Sequence, residues 1–151
     1  MTVEHRNEQA SIPRVPWRIV LVEDNPEDIV LLREVIHDEN LPVELQIFPD
    51  GESALSLINA LEEDPRTPRP HLFLIDLNLP KADGFMLLRQ IRNSERYQSL
   101  PVIIISSSDS PYHSSQAVQL GGSFFRKPTS LDEYMALAYV LRTALERIQN
   151  G

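Results

Sequence analysis

RIVLVEDNP, residues 18–26, holds a strand, the end of that strand and the start of a helix in nine residues. Strand 1 is predicted over Arg18–Val22, a short apolar run after its first residue. Glu23 and Asp24 close the run. Asn25 is a good helix N-cap, and Pro26 suits the first helical position because its missing N–H has no partner there. Leu31, Leu32, Val35 and Ile36 then repeat at helical spacing, so a helix is predicted from Pro26 to about Asp38.

The same strand-then-helix unit recurs outward from this stretch. Strand 2 is predicted over Val43–Phe48, and Asp50 caps a helix carrying Ala54, Leu55, Leu57, Ile58 and Leu61. Residues 62–70, EEDPRTPRP, hold three prolines and five charges and read as a mobile surface loop. Strand 3 is Leu72–Ile75, Asn78–Asp83 a turn, and helix 3 runs roughly over Gly84–Arg92. Strand 4 is Val102–Ile105, an uninterrupted β-branched run, the pattern of a strand buried on both faces. Ser110-Pro111 opens helix 4, and Gly121-Gly122 ends it as a left-handed cap. Strand 5 is Ser123–Arg126, and Ser130 with Glu133 forms a capping box for helix 5, which runs to about Gln149. Five such units imply an α/β, doubly wound five-stranded parallel sheet, with the flavodoxin-like order 2-1-3-4-5 as the expected topology. Residues 1–16 are polar, aperiodic and carry Pro13 and Pro16. They read as a flexible N-terminal arm before a single domain over 17–151.

Composition narrows the function classes. The 151 residues include no Cys, which removes disulfides, thiolate zinc sites and a Cys nucleophile. The N-terminus has no apolar signal-like core, and no apolar run approaches the roughly 18 residues that span a bilayer. A cytoplasmic location without membrane attachment is expected. The net charge of −8 disfavours direct nucleic-acid binding. Of 14 basic residues, 12 are Arg, and only Lys81 and Lys127 are Lys.

Ligands of open α/β sheets bind beyond the carboxyl ends of the strands, near the switch point of strand order. The residues at those ends are Glu23 and Asp24, Asp76, Ser106 and Ser107, and Lys127. Strands 1 and 3 are neighbours in the expected order, so three carboxylates converge beside one hydroxyl and one ammonium. Crowded carboxylates stay ionised only with positive charge among them. A hard divalent cation, Mg²⁺ or alternatively Mn²⁺, fits an all-oxygen set and can leave positions open for phosphoryl oxygens. A Lys in this Arg-dominated chain supplies a compact, movable charge.

LVEDN, LIDLNLP, PVIIISSSD and FFRKP, in this order, resemble the signature of response-regulator receiver domains over about residues 17–148. The chain is most similar to stand-alone receivers partnered with phytochrome-type or other hybrid sensor histidine kinases. The resemblance implies that Asp76 is the phosphoacceptor and that Asp24 ligates Mg²⁺ directly. Glu23 would do so directly or through water, and the Asn78 carbonyl would be a further ligand. It also implies that Ser106 hydrogen-bonds the phosphoryl group, that Lys127 pairs with its oxygens, and that Phe124 is the switch aromatic. The implied chemistry is phosphoryl transfer from the phosphohistidine of a sensor kinase or phosphotransfer protein. Two residues depart from the family pattern: Ser106 stands where Thr is usual, and the acidic pair is Glu-Asp rather than Asp-Asp.

Other readings compete. A metal-dependent phosphatase of the haloacid-dehalogenase type wants Asp-x-Asp, but Asn78 follows Asp76 at that spacing. A flavodoxin needs a phosphate-cradling loop after strand 1, where Glu23 and Asp24 would repel the anion. A degenerate receiver serving as a non-phosphorylated interaction scaffold would not need the complete set of acids, hydroxyl and Lys. No effector segment is read after helix 5, so output is expected through partner contacts. Helix 5 is expected to bury Leu131, Tyr134, Ala138, Leu141, Leu145 and Ile148, with Leu137 and Ala144 at one margin. Met135, Tyr139 and Val140 are left outside this stripe, which predicts a homodimer through helix 4, strand 5 and helix 5. His37, His71 and His113 carry no ligand spacing, and His113 reads as a solvated helix-4 residue. A cis peptide is expected between Lys127 and Pro128, aiming the Lys over the sheet edge.

Overall fold

The computed structural model describes residues 16–81 and 83–150. The expected arm at residues 1–16 lies outside them except for Pro16. The strands are β1 (Trp17–Val22), β2 (Val43–Phe48), β3 (Leu72–Asp76), β4 (Val102–Ser106) and β5 (Ser123–Arg126). The helices are α1 (Pro26–Asp38), α2 (Gly51–Glu63), α3 (Gly84–Asn93), α4 (Pro111–Gln119) and α5 (Leu131–Asn150). All strand pairs are parallel, in the order β2-β1-β3-β4-β5 expected from the sequence.

Side chains along the three central strands alternate between two apolar layers, as the period of two requires. Val20, Val22, Phe73, Ile75, Val102 and Ile104 face α2, α3 and α4. Ile19, Leu21, Leu72, Leu74, Ile103 and Ile105 face α1 and α5. With both faces covered, every residue of β3 and β4 is buried, and this explains their unbroken apolar runs.

The helix ends follow local chemistry. The Asn25 side chain accepts from the N–H groups of Glu27 and Asp28, and Pro26 takes the first turn. Asp50, Asp83 and Ser110 cap α2, α3 and α4 in the same way. Gly121 ends α4 with φ +88°. The turn before α5 departs slightly from the expected box. Ser130 Oγ accepts from Glu133 N–H at 3.2 Å, but the Glu133 carboxylate reaches Thr129 N–H, at 2.8 Å, rather than that of Ser130. Helix α2 extends to Glu63, so the Pro-rich loop begins at Asp64.

Three expectations are corrected. There is no cis peptide among the described residues, so Lys127–Pro128 is trans. The trans isomer of an X-Pro bond lies about 0.5–1 kcal/mol lower, and Lys127 reaches the sheet edge without the isomerisation. Leu131 is 55% exposed and does not belong to the buried stripe of α5. It sits at the first position of the helix, beyond the strand ends that would cover it. Val140 is half-buried and packs with Ala144 and Ile148 against the α1–α5 layer, whereas Met135 and Tyr139 do stand outside.

Candidate functional site

The parallel register brings the strand ends level. Val22 pairs with Phe48 and Ile75, Asp76 with Ile105, and Ser106 with Arg126. Glu23, Asp76, Ser106 and Lys127 therefore emerge along one edge of the sheet. Backbone hydrogen bonds continue the ladder past the strands: Glu23 N–H to Phe48 O, Leu77 N–H to Ile105 O, and Lys127 N–H to Ser106 O, at 3.0, 2.8 and 2.8 Å. These bonds hold the exits of β1, β3 and β5 rigid, so the side chains are placed by the sheet and not by loop conformation.

Behind Asp76, helix α3 starts in direct contact with β3. Gly84 N–H donates to Leu77 O at 3.1 Å, and a Cβ at position 84 would lie 2.9 Å from Asp76 O. The Asp76 side chain turns back on its own loop, where Oδ1 accepts from Asn78 N–H at 3.0 Å. Glu23 does the same, with Oε2 accepting from Asn25 N–H at 3.1 Å. Both carboxylates are nearly fully buried, at 2% exposure for Glu23 and 5% for Asp76, while Asp24 beside them is exposed.

Lys127 is the hub. Its Nζ lies 3.0 Å from Glu23 Oε1, 3.1 Å from Asp76 Oδ2 and 2.9 Å from Asp28 Oδ2. Burial alone would pull its pKa down, but hydrogen bonds to Asp28 and Glu23 and the Asp76 charge outweigh this and hold the ammonium above its usual range. Burial, helped by the nearby Asp76 charge, raises Glu23 against the opposing hydrogen bond from Lys127.

Glu23, Asp24 and Asp76 each offer a carboxylate oxygen, and these atoms lie within 4.8 Å of one another. With Asp28, four carboxylates gather at this edge, three of them on the single ammonium of Lys127, a marked excess of negative charge. Hard oxygen donors carrying that charge suit Mg²⁺ or Mn²⁺, with Asp24 on the solvent side. Ser106 is completely buried, and its Oγ accepts from Ser108 N–H at 3.1 Å. Asn78 is held to Asp76 through its N–H. Phe124 is half-buried against the layer of α2, α3 and α4. His113 is less solvated than expected: its Nδ1 lies 2.9 Å from Ser108 Oγ.

The sequence reading missed Asp28 and the role of Tyr134. Asp28 lies in the first turn of α1, where an acid is ordinarily a response to the helix dipole. Here it bonds Lys127 through one oxygen and accepts from Tyr134 OH at 3.0 Å through the other. Only the packing of α1 against α5 makes that visible.

Comparison with known proteins places this edge in context. The family described as response regulator receiver domain matches residues 19–139. Response regulator Rcp1 of Synechocystis sp. is 35% identical over 102 residues, which is 68% of this chain and 67% of that one. The crystal structure of the Mn²⁺-bound form of Rcp1 superposes with a TM-score of 0.71 at 31% identity, covering 81% of this chain and 88% of that one. The phosphorylated cyanobacterial phytochrome response regulator RcpA gives 0.74 at 29% identity, covering 84% and 91%.

Proposed function

The chain belongs to the response regulator receiver domain family, and on that premise we propose that Asp76 accepts a phosphoryl group from the phosphohistidine of a sensor kinase or phosphotransfer protein. One observation carries this reading: a buried carboxylate at the end of β3 faces an ammonium at 3.1 Å inside a cluster of acids. In the transfer, an Asp76 oxygen attacks phosphorus. The P–O bond forms as the P–N bond to the donor imidazole breaks, and the imidazole leaves with the electron pair and takes up a proton. Glu23, Asp24, Asp76 and the Asn78 carbonyl would hold Mg²⁺ or Mn²⁺, which supplies neutralisation of the negative charge that builds on the phosphoryl oxygens. Lys127 adds preorganised positive charge from the opposite side. Ser106 Oγ already accepts from Ser108 N–H at 3.1 Å, and its own O–H would donate to a phosphoryl oxygen.

Incubation with acetyl phosphate and Mg²⁺, followed by intact mass, tests the assignment. Wild type gains one phosphoryl group and Asp76→Asn gains none. Labelling of the variant at the wild-type rate would overturn it.

Output is through protein contacts, and the chain acts as a signalling protein and not as an enzyme. Tyr112 and Val118 on α4 are 66% and 65% exposed, and Met135 and Tyr139 on α5 are 44% and 70% exposed. So much aromatic and aliphatic surface on adjoining elements suits a homodimer through α4, β5 and α5. The net charge of −8 argues against direct DNA contact. A cytoplasmic setting matches the phosphohistidine donor, and no described helix is long and apolar enough to cross a membrane. Light scattering with and without beryllofluoride checks the dimer. Wild type doubles in mass and Tyr139→Asp stays monomeric, whereas a strict monomer throughout would refute it.

A further inference from the structure

We propose that Asp28 and Tyr134 are a positioning pair that fixes Lys127 for phosphoryl transfer, an inference that rests on Asp76 being the phosphoacceptor. An ammonium has three N–H donors. The three carboxylates around Lys127 Nζ can take one each. Glu23 holds it from β1 and Asp28 from α1, which leaves the third donor aimed at Asp76. That donor is the one that must turn to a phosphoryl oxygen, and the other two decide where it points.

The surroundings make Asp28 the controlling anchor. Leu21, Leu32, Ile105 and Tyr134, with Glu23 and Asp28, line a small cavity of about 10 Å³ beside Lys127. The outer side is open, since Lys127 keeps 17% of its side chain exposed. Without Asp28, the flexible four-carbon stem is free to swing toward solvent. Asp28 is itself fixed, because its second oxygen accepts from Tyr134 OH at 3.0 Å, and Tyr134 is only 3% exposed on the first turns of α5. Tyr134 thus ties Lys127 through Asp28 to α5.

The experiment measures Asp76 phosphorylation by acetyl phosphate, followed by intact mass over hours, across a range of donor concentrations. Wild type, Asp28→Asn and Tyr134→Phe are each compared in the Lys127 and the Lys127→Ala background. Asp28→Asn keeps the side-chain shape, and Tyr134→Phe keeps the buried ring. In the Lys127 background, Asp28→Asn is expected to lower the rate at saturating donor about tenfold and Tyr134→Phe about threefold, with the half-saturating donor concentration unchanged. In the Lys127→Ala background both substitutions should be nearly silent, because a residue acting through Lys127 has nothing left to position. Equal losses in both backgrounds, or no loss in the first, would overturn the proposal while leaving the Asp76 assignment intact. Failure of wild type to take up phosphoryl would instead overturn the Asp76 assignment, and the proposal with it.

Discussion

Gly84→Ala tests whether the close contact between α3 and β3 sets the position of Asp76. The added Cβ would lie 2.9 Å from Asp76 O, 3.1 Å from Ile75 Cγ2 and 3.1 Å from Leu77 Cα. Two of these are backbone atoms, and neither can yield easily. Leu77 N–H is bonded to Ile105 O at 2.8 Å, and Gly84 N–H to Leu77 O at 3.1 Å, so the strand exit is held from both sides. Forcing a methyl into a site this tight costs about 1–3 kcal/mol. Alanine recovers at most about 0.5–1 kcal/mol of helix propensity, and less at the first position of α3 than in its interior. The expected net loss is about 1–2 kcal/mol, or roughly 3–8 °C in Tm for a domain of this size. Urea unfolding and thermal melts followed by circular dichroism measure it. The shift also displaces the Asp76 main chain by a few tenths of an ångström, so phosphorylation by acetyl phosphate should slow in the folded variant. An unchanged or raised Tm would refute the packing argument, and wild-type phosphorylation in a destabilised variant would refute the link to Asp76.

Asp24→Asn should abolish the stabilisation by Mg²⁺, which for a folded-state ligand at a hundred times its Kd is about 2.7 kcal/mol. Melts with and without Mg²⁺ check this, and an undiminished shift would remove Asp24 from the ligand set. Arg92 donates to Gly121 O at 3.0 and 2.6 Å, to Gln98 O at 3.0 Å and to Leu100 O at 2.7 Å, clamping the end of α4 to the loop before β4. Arg92→Ala should cost about 1.5–3 kcal/mol, and Arg92→Lys should recover less than half of it because an ammonium cannot span the planar fork. Urea unfolding separates the two, and full recovery by Lys would contradict the fork argument. His71 Nδ1 accepts from Arg18 N–H at 2.8 Å, and burial, aided by Arg18 and Arg69, lowers its pKa. The unfolded chain therefore binds the proton first, so this contribution is complete above about pH 6.5 and is lost as pH falls through the lowered folded value. Stability measured between pH 7.5 and 5 should fall less in His71→Ala than in wild type, and parallel profiles would count against it.

Most of the architecture was readable because it rests on short-range patterns. A strand buried on both faces must be apolar throughout, so Leu72–Ile75 and Val102–Ile105 announced parallel central strands. The Asn25-Pro26 start and the Gly121 end of helices follow from local hydrogen bonding and backbone freedom. The convergence of Glu23, Asp24, Asp76, Ser106 and Lys127 followed from strand order, since a parallel sheet brings every carboxyl end to one edge.

What sequence could not decide were contacts between elements far apart in the chain. Asp28 and Lys127 are 99 residues apart, and Tyr134 and Asp28 are 106 residues apart. No periodicity or spacing relates them, and an acid in the first turn of a helix has a sufficient local reason to be there. Tertiary packing also settled the exposure of Leu131 and the half-burial of Val140, because a helical stripe defines a direction but not where the covering sheet ends. The trans geometry of Lys127–Pro128 belongs with these. The sequence permits either isomer within about 1 kcal/mol, and the choice falls to the packed turn that carries Lys127 to its three carboxylates.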